Sequence, residues 1–232
     1  MTLLTGSSIL IVGATGGLGR EIAQILSAEG ALLTLHGRTP ERLADLGIAA
    51  ARVTGDLRDP ETAAQLVAAA LAAHGRIDGI VNTAGLVAFG PVVQVSDETI
   101  DTLMAVNATA PMRLLRAAYP ALVESSSAHR DPFFLTLSGV VSESPTANMA
   151  AYSASKAALA AFAKAAGREM RRDGIRFLDA RPGHTETGLA TRPIQGVAPR
   201  LPAGYRPTDV ARRIVDAIVA DERDLPSTAF AS

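Results

Sequence analysis

Cysteine is absent from the 232 residues, which excludes disulfides, thiolate metal sites and cysteine nucleophiles. Tryptophan is absent too, and with 3 Tyr and 6 Phe the aromatic share is 4%. No apolar run approaches the ~18 residues that a membrane helix needs. Neither sign of charge is in excess: Lys+Arg 22 against Asp+Glu 23 leaves −1, so no field is set up for nucleic acid or an anionic membrane surface. Four scattered histidines give no metal-ligand spacing. Met1 to Val12 is mildly apolar but lacks a basic start and runs straight into glycines, which reads as mature chain with a cytoplasmic location. The apolar mass is substantial, at 48%, and it is carried by Ala, Val, Leu and Ile. That is too apolar for disorder, and the length suits one domain. Small and branched side chains favour helices packed closely on buried parallel strands.

Two periods alternate along the chain. Ser8–Val12, Ala31–His36, Ala51–Thr54, Ile77–Asn82, Phe133–Ser138 and Ile175–Ala180 are short apolar runs that read as strands, and Leu225–Phe230 as a short edge strand. Between them, helical spacing covers Leu18–Glu29, a segment from Thr39, a segment from Asp59 to His74, and a region from Ser96 or Asp97 to Glu124 with a break near Pro111. Met149–Arg172 and Thr208–Asp221 complete the helices. This alternation predicts a single α/β domain over residues 1–232. It would hold a parallel sheet of six to seven strands with helices on both faces. Gly183 to Arg206 has no period, and a loop of that length in a compact domain predicts a substrate lid at about 183–206.

The first strand opens onto Gly13-Ala14-Thr15-Gly16-Gly17-Leu18-Gly19. Glycines there let the backbone turn tightly and approach a pyrophosphate, and the following helix turns its N–H groups and dipole toward the anion. His36-Gly37-Arg38 ends the second strand, where an NAD site carries an acidic residue for the ribose 2′-OH. Arg38 pairs instead with a 2′-phosphate, which argues for NADP(H) with NAD(H) as the second option. Asp56 and Leu57 follow the third strand, in place to hold the adenine. Tyr152 and Lys156 stand four apart in a helix and share a face. A free tyrosine titrates near 10. An ammonium ~4 Å away at an effective dielectric of ~20 is worth about 4 kcal/mol, enough to bring the phenol to acid–base work near neutral pH.

These motifs together resemble the short-chain dehydrogenase/reductase family, in its shorter single-domain branch with a doubly wound Rossmann fold. The glycine loop looks like the family's cofactor loop, and Asn82-Thr83-Ala84-Gly85 is similar to its Asn-Asn-Ala-Gly strand end. Asn107 falls at its helix asparagine. Tyr152-Ser153-Ala154-Ser155-Lys156 matches Tyr-x-x-x-Lys, and Pro182-Gly183-His184-Thr185-Glu186-Thr187 looks like the Pro-Gly…Thr segment beside the nicotinamide. The resemblance implies hydride transfer between an alcohol and a ketone or aldehyde. Tyr152 would act as general acid or base, Lys156 would bind the nicotinamide ribose and lower the Tyr pKa, and Asn107 would anchor a water in a proton relay. Gly13, Thr15, Gly16, Gly17, Leu18, Gly19, Asn82, Ala84, Gly85, Pro182, Gly183, Thr185 and Thr187 would contact the cofactor. It also implies a homodimer or homotetramer.

Three positions depart from the pattern. Val12 stands for a threonine, Thr83 for the second asparagine, and Gly139 for the catalytic serine 13 residues before the tyrosine. Ser138 is the replacement favoured here, with Ser142 and Ser144 in the same loop as alternatives. Gly13, Gly16 and Gly19 also fit the G-x-x-G-x-x-G spacing of cofactor-retaining epimerases and dehydratases, although the length argues against that branch. Gly139 motivates a further alternative, a non-catalytic NADP-sensing protein. Leu86–Val95, Ser142–Met149 and His184–Tyr205 would line the substrate pocket, with His184, Phe89 and Tyr205 as candidate contacts.

Overall fold

A computed structural model describes residues 2–230. Strands β1 (Ser8–Val12), β2 (Leu32–Gly37), β3 (Ala51–Thr54), β4 (Gly79–Asn82), β5 (Phe133–Leu137), β6 (Arg176–Ala180) and β7 (Asp224–Leu225) form one sheet in the order β3-β2-β1-β4-β5-β6-β7. Every pairing is parallel. The strands alternate with α1 (Gly17–Ala28), α2 (Pro40–Ala44), α3 (Thr62–His74), α4 (Asp97–Met104), α5 (Ala110–Ser127), α6 (Ala150–Met170) and α7 (Pro207–Val219).

The period of two explains the two cores. In β1, Ile9 and Ile11 join Leu33, Leu35, Val81 and Leu135 against Ile22 and Leu26 of α1 and Ile214 and Ile218 of α7. Leu10 and Val12 face the other way, with Ile80 and Phe134, against Leu66 of α3, Leu114 and Leu122 of α5 and Ala163 of α6. A strand buried on both faces must be apolar at every position, and all five residues of β1 are buried. Each such Leu or Ile contributes about 1.5–3 kcal/mol by leaving water.

The break expected near Pro111 is present: a π-helical turn over Ala105–Thr109 interrupts the long helical region just before Pro111 in the first turn of α5. Several other boundaries differ from the sequence reading. Leu225–Phe230 is not a strand: only Asp224–Leu225 pairs, against Asp179 and Ala180. Pro226 has no N–H to continue the ladder, and Ser227–Phe230 coils into a 3₁₀ turn. The helix from Thr39 is only the five residues of α2. Among the described residues no helix is long and apolar enough to cross a membrane.

From β1 the chain builds outward through β2 and β3, then crosses back to place β4 on the other side of β1. The register pairs Val12 with Asn82, so β1 and β4 end side by side. A crevice opens where neighbouring crossovers leave in opposite directions, and it lies at this point.

Candidate active site

The crevice is a cleft of about 610 Å³. At its floor, Gly13 adopts φ +83, and a Cβ there would lie 2.8 Å from the Ala84 nitrogen. The turn after β1 is therefore pressed against the chain leaving β4. Thr83 fastens that contact: its hydroxyl donates to the carbonyls of Val12 at 2.9 Å and Gly13 at 3.2 Å. A Cβ on Gly19 would fall 2.3 Å from the Gly13 carbonyl oxygen, and one on Gly17 2.5 Å from the Thr187 Cβ. Gly16 begins α1 with no side-chain cap and no acidic residue in the first turn. The helix N-terminus thus faces the cleft with main-chain donors and a positive dipole end, a fit for a pyrophosphate.

The second strand supplies the adenosine end. His36 is buried; its Nδ1 accepts from the Gly13 N–H at 3.3 Å, and its Nε2 lies 3.1 Å from the Gly55 carbonyl. Acceptance at Nδ1 fixes the neutral tautomer that donates from Nε2, and burial lowers the His36 pKa. A Cβ at Gly37 would meet the Thr15 methyl at 2.9 Å and Leu43 at 3.2 Å, so an acidic side chain at this strand end would have to displace both. Arg38, Asp56 and Leu57 line the cleft as expected, but two further cations stand beside them, Arg42 and Arg58. Arg42 donates to the Thr15 carbonyl at 2.9 Å. Arg58 closes on Asp56 at 2.5 Å and, by that hydrogen bond, holds its carboxyl below the usual range. The sequence reading missed both because arginines near a helix start look like solvated surface.

Tyr152, Lys156 and Asn107 converge at the other end. The π-turn directs Asn107 inward. Its Oδ1 accepts from Leu86 N at 2.8 Å, and its Nδ2 donates to the Leu86 carbonyl at 2.9 Å and to Ser155 Oγ at 3.0 Å. The side-chain amide is thus spent on fastening the loop after β4 to α6. A Cβ on Gly85 would sit 3.3 Å from Lys156 Nζ, so the backbone passes the ammonium closely. Lys156 is buried and donates to the Leu137 carbonyl at 2.7 Å; burial pulls its pKa down to about 8. Tyr152, in the cleft wall, is pushed up to about 12 by burial. The Lys156 ammonium is turned to the Leu137 carbonyl.

Ser138 sits at the cleft wall, but its one proton goes to Asp179 Oδ2 at 2.6 Å, and it accepts from Ser142 Oγ at 3.1 Å. Its hydroxyl is not available to donate to a substrate oxygen in this arrangement. Ser142 also lies 2.7 Å from the Gly139 carbonyl. Gly139 itself has φ +74 and ψ 165, a combination essentially restricted to glycine, which explains why no serine occupies the family's position.

The remaining wall is apolar: Val87, Phe89, Val106, Val141, Met149 and Ile194 among others. Thr102, Val106, Val140 and Val141 lie outside the expected lining segments. Val92 and Val93, inside one of them, are exposed. Tyr205 does not reach the cleft; its ring packs over Gly183, where a Cβ would lie 3.0 Å away, and against the core. Asn82 is buried behind the wall, accepting from Ala84 N at 3.3 Å. His184, Pro182, Gly183, Thr185 and Thr187 line the cleft.

Comparison with known proteins agrees with this arrangement. Residues 7–196 match the family model described as short chain dehydrogenase. The mouse protein "Dehydrogenase/reductase SDR family member 7B" is 30% identical over 248 aligned positions, covering 98% of this chain and 75% of its own. A short-chain dehydrogenase from Sphingobium yanoikuyae, solved in complex with NADPH, is 27% identical with a TM-score of 0.84, over 95% of this chain and 87% of that one. A 3-ketoacyl-(acyl-carrier-protein) reductase from Brucella melitensis, complexed with NADH, shares the fold with a TM-score of 0.86 at 23% identity, over 98% and 99%. Nucleotide cradle, tyrosine–lysine pair, doubly wound sheet and family match coincide in one chain, which belongs to the short-chain dehydrogenase/reductase family and is an NAD(P)-dependent oxidoreductase.

Proposed function

We propose that this protein reduces an uncharged, largely apolar ketone or aldehyde to the alcohol, and runs the reverse, with NADP(H) as its cofactor. The observation that carries the reading is the convergence of Tyr152, Lys156 and Asn107 at the switch-point cleft, opposite the glycine cradle. When bound, the dinucleotide supplies or takes the hydride. Tyr152 donates the proton to the substrate oxygen. A phenol pushed up to about 12 holds that proton throughout the neutral range, the state that reduction requires. Lys156 would hold the nicotinamide ribose and stabilises the phenolate left behind, and Asn107 keeps α6 in register with the loop after β4. Gly13 to Gly19, Thr83 to Gly85 and Pro182 to Thr187 would form the cofactor wall, with Asn82 behind it and the rest of residues 183–206 as the lid. Ser138 supports that wall through Asp179.

The NADP(H) preference rests on Gly37, where an acid would crowd Thr15 and Leu43, and on Arg38, Arg42 and Arg58 around the same corner. NADPH oxidation with a panel of charged and uncharged carbonyl compounds tests the function. Tyr152→Phe is expected to lose turnover by at least about a hundredfold while NADPH fluorescence shows unchanged binding. Wild-type rates in Tyr152→Phe would refute it. Ser138's engagement with Asp179 favours one other reading, a non-catalytic NADP sensor, and turnover of any carbonyl that Tyr152→Phe abolishes rules it out.

A further inference from the structure

Asp179 is a buried carboxylate that the reaction above does not use. It lies in β6 opposite Thr136 and is 6% exposed. Four donors hold it: Thr136 Oγ1 at 2.8 Å, Ser138 N at 3.3 Å, Ser138 Oγ at 2.6 Å and Arg181 Nη1 at 3.1 Å. Thr136 and Ser138 flank Leu137, and the Leu137 carbonyl is the group that receives the Lys156 ammonium. Asp179 and Lys156 are thus joined through a single residue of β5. A buried ammonium that touches only a carbonyl needs an anion nearby to remain charged.

Charged groups from several segments meet around this point. The charge of Asp179 in β6 works against the burial that lowers the Lys156 pKa, and burial raises the Asp179 pKa in turn, opposed by the hydrogen bonds from Ser138, Thr136 and Arg181. Arg181, just past β6, faces Asp179 and is itself shared with Glu143, after the turn that follows β5, and Asp224 of β7. Tyr152 lies on α6 with Lys156. Asn107, from the π-turn, is uncharged.

We propose that Asp179 is a positioning residue for the reaction, a fixed anion behind the Leu137 carbonyl that keeps Lys156 an ammonium beside Tyr152. The four donors prevent the carboxylate from swinging into the cleft, so it acts on the lysine through space without touching substrate. Ser138 then has a role that needs no contact with substrate: its proton holds the anion in place.

The proposal builds on the reading of Lys156 as the partner of Tyr152, and its test does not depend on turnover. The chain has only two lysines, Lys156 and Lys164. Lys164 is exposed on the same helix and serves as an internal reference. Acetic anhydride acetylates neutral amines only, so competitive labelling across pH, read by mass spectrometry, gives the midpoint at which each lysine loses its proton. Asp179→Asn is expected to move the Lys156 midpoint down by about one pH unit or more, the size of effect one nearby opposite charge has. Lys164 stays where it was. Ser138→Ala removes the donor that holds the anion, and burial then raises the Asp179 pKa with less opposition, so the Lys156 midpoint is expected to move down as well, by less than in Asp179→Asn. Ser138→Ala keeps the carboxylate itself, so the direction is readable even if Asp179→Asn does not fold. An unmoved Lys156 midpoint in Asp179→Asn, or in a folded Ser138→Ala protein, overturns the proposal. In kinetics, the alkaline limb of kcat/KM for carbonyl reduction shifts down in Asp179→Asn by the same interval. Absence of turnover in the wild type, with the labelling shift intact, would sink the proposed reaction and leave this assignment standing.

Discussion

Placing serine at residue 139 is the sharpest test of how backbone and chemistry divide the labour here. The substitution supplies the hydroxyl that the family pattern has at that position. The structure sets Gly139 at φ +74 and ψ 165, where a side chain costs about 1–3 kcal/mol of backbone strain. Crowding adds nothing, since the nearest atom to a built Cβ is the Pro182 carbonyl oxygen at 3.7 Å. The loss is therefore conformational, and Gly139→Ala shares it with Gly139→Ser. For a chain of this size each kcal/mol lowers Tm by about 2–4 °C, so both variants should melt about 2–12 °C below the wild type. Thermal unfolding by circular dichroism measures this, with NADPH-dependent turnover followed alongside. The serine variant is expected to gain no activity, because the strain it brings is relieved only by moving the turn that carries Val140 and Val141 into the cleft. A Gly139→Ser protein with wild-type Tm and raised kcat would refute the argument.

Arg38→Ala should weaken NADPH binding by about ten- to a hundredfold, the worth of a charge-assisted hydrogen bond of about 1.5–3 kcal/mol, and leave NADH binding unchanged in a fluorescence titration; equal losses for both would show that Arg38 does not read the phosphate. His36 links the cofactor loop to acid stability. Burial holds it neutral when folded, against the opposing pull of the Gly55 hydrogen bond and Asp56, so its folded pKa lies below the ordinary histidine value. The unfolded chain then binds the proton first. The stability that neutral His36 gives is whole above about 6.5 and is lost as pH falls through the folded value. Urea midpoints measured between about pH 7.5 and 5.5 should fall in the wild type and fall less in His36→Gln; parallel curves would show that His36 carries none of the slope.

Most of the sheet was legible because a strand buried on both faces has no freedom to hide its pattern: Ser8–Val12 and Phe133–Leu137 are apolar almost throughout. The glycine cradle was legible for a related reason, since Gly13 and Gly19 have no room for a Cβ. What escaped was set by contacts between distant segments. The period of the α4–α5 region carries no mark of the π-turn that directs Asn107 inward. Spacing located Ser138 beside the site, but the destination of one hydroxyl proton is decided by Asp179, 41 residues on. A signal was present in that case: a carboxylate inside the apolar run Phe177-Leu178-Asp179-Ala180 must find partners when buried. Helical spacing likewise fixes which face Tyr152 and Lys156 share, but not that the ammonium turns to the Leu137 carbonyl.

Gly37 bears on how cofactor choice can change in this chain. An aspartate there, the simplest route to a hydroxyl-reading NAD site, meets Thr15 from the glycine loop and Leu43 from α2 at once. Thr15 and Leu43 must give way to admit it, and Thr15 lies beside the glycine cradle. An exchange at residue 37 is therefore coupled to the packing of the loop after β1 and of α2, before any question of charge arises.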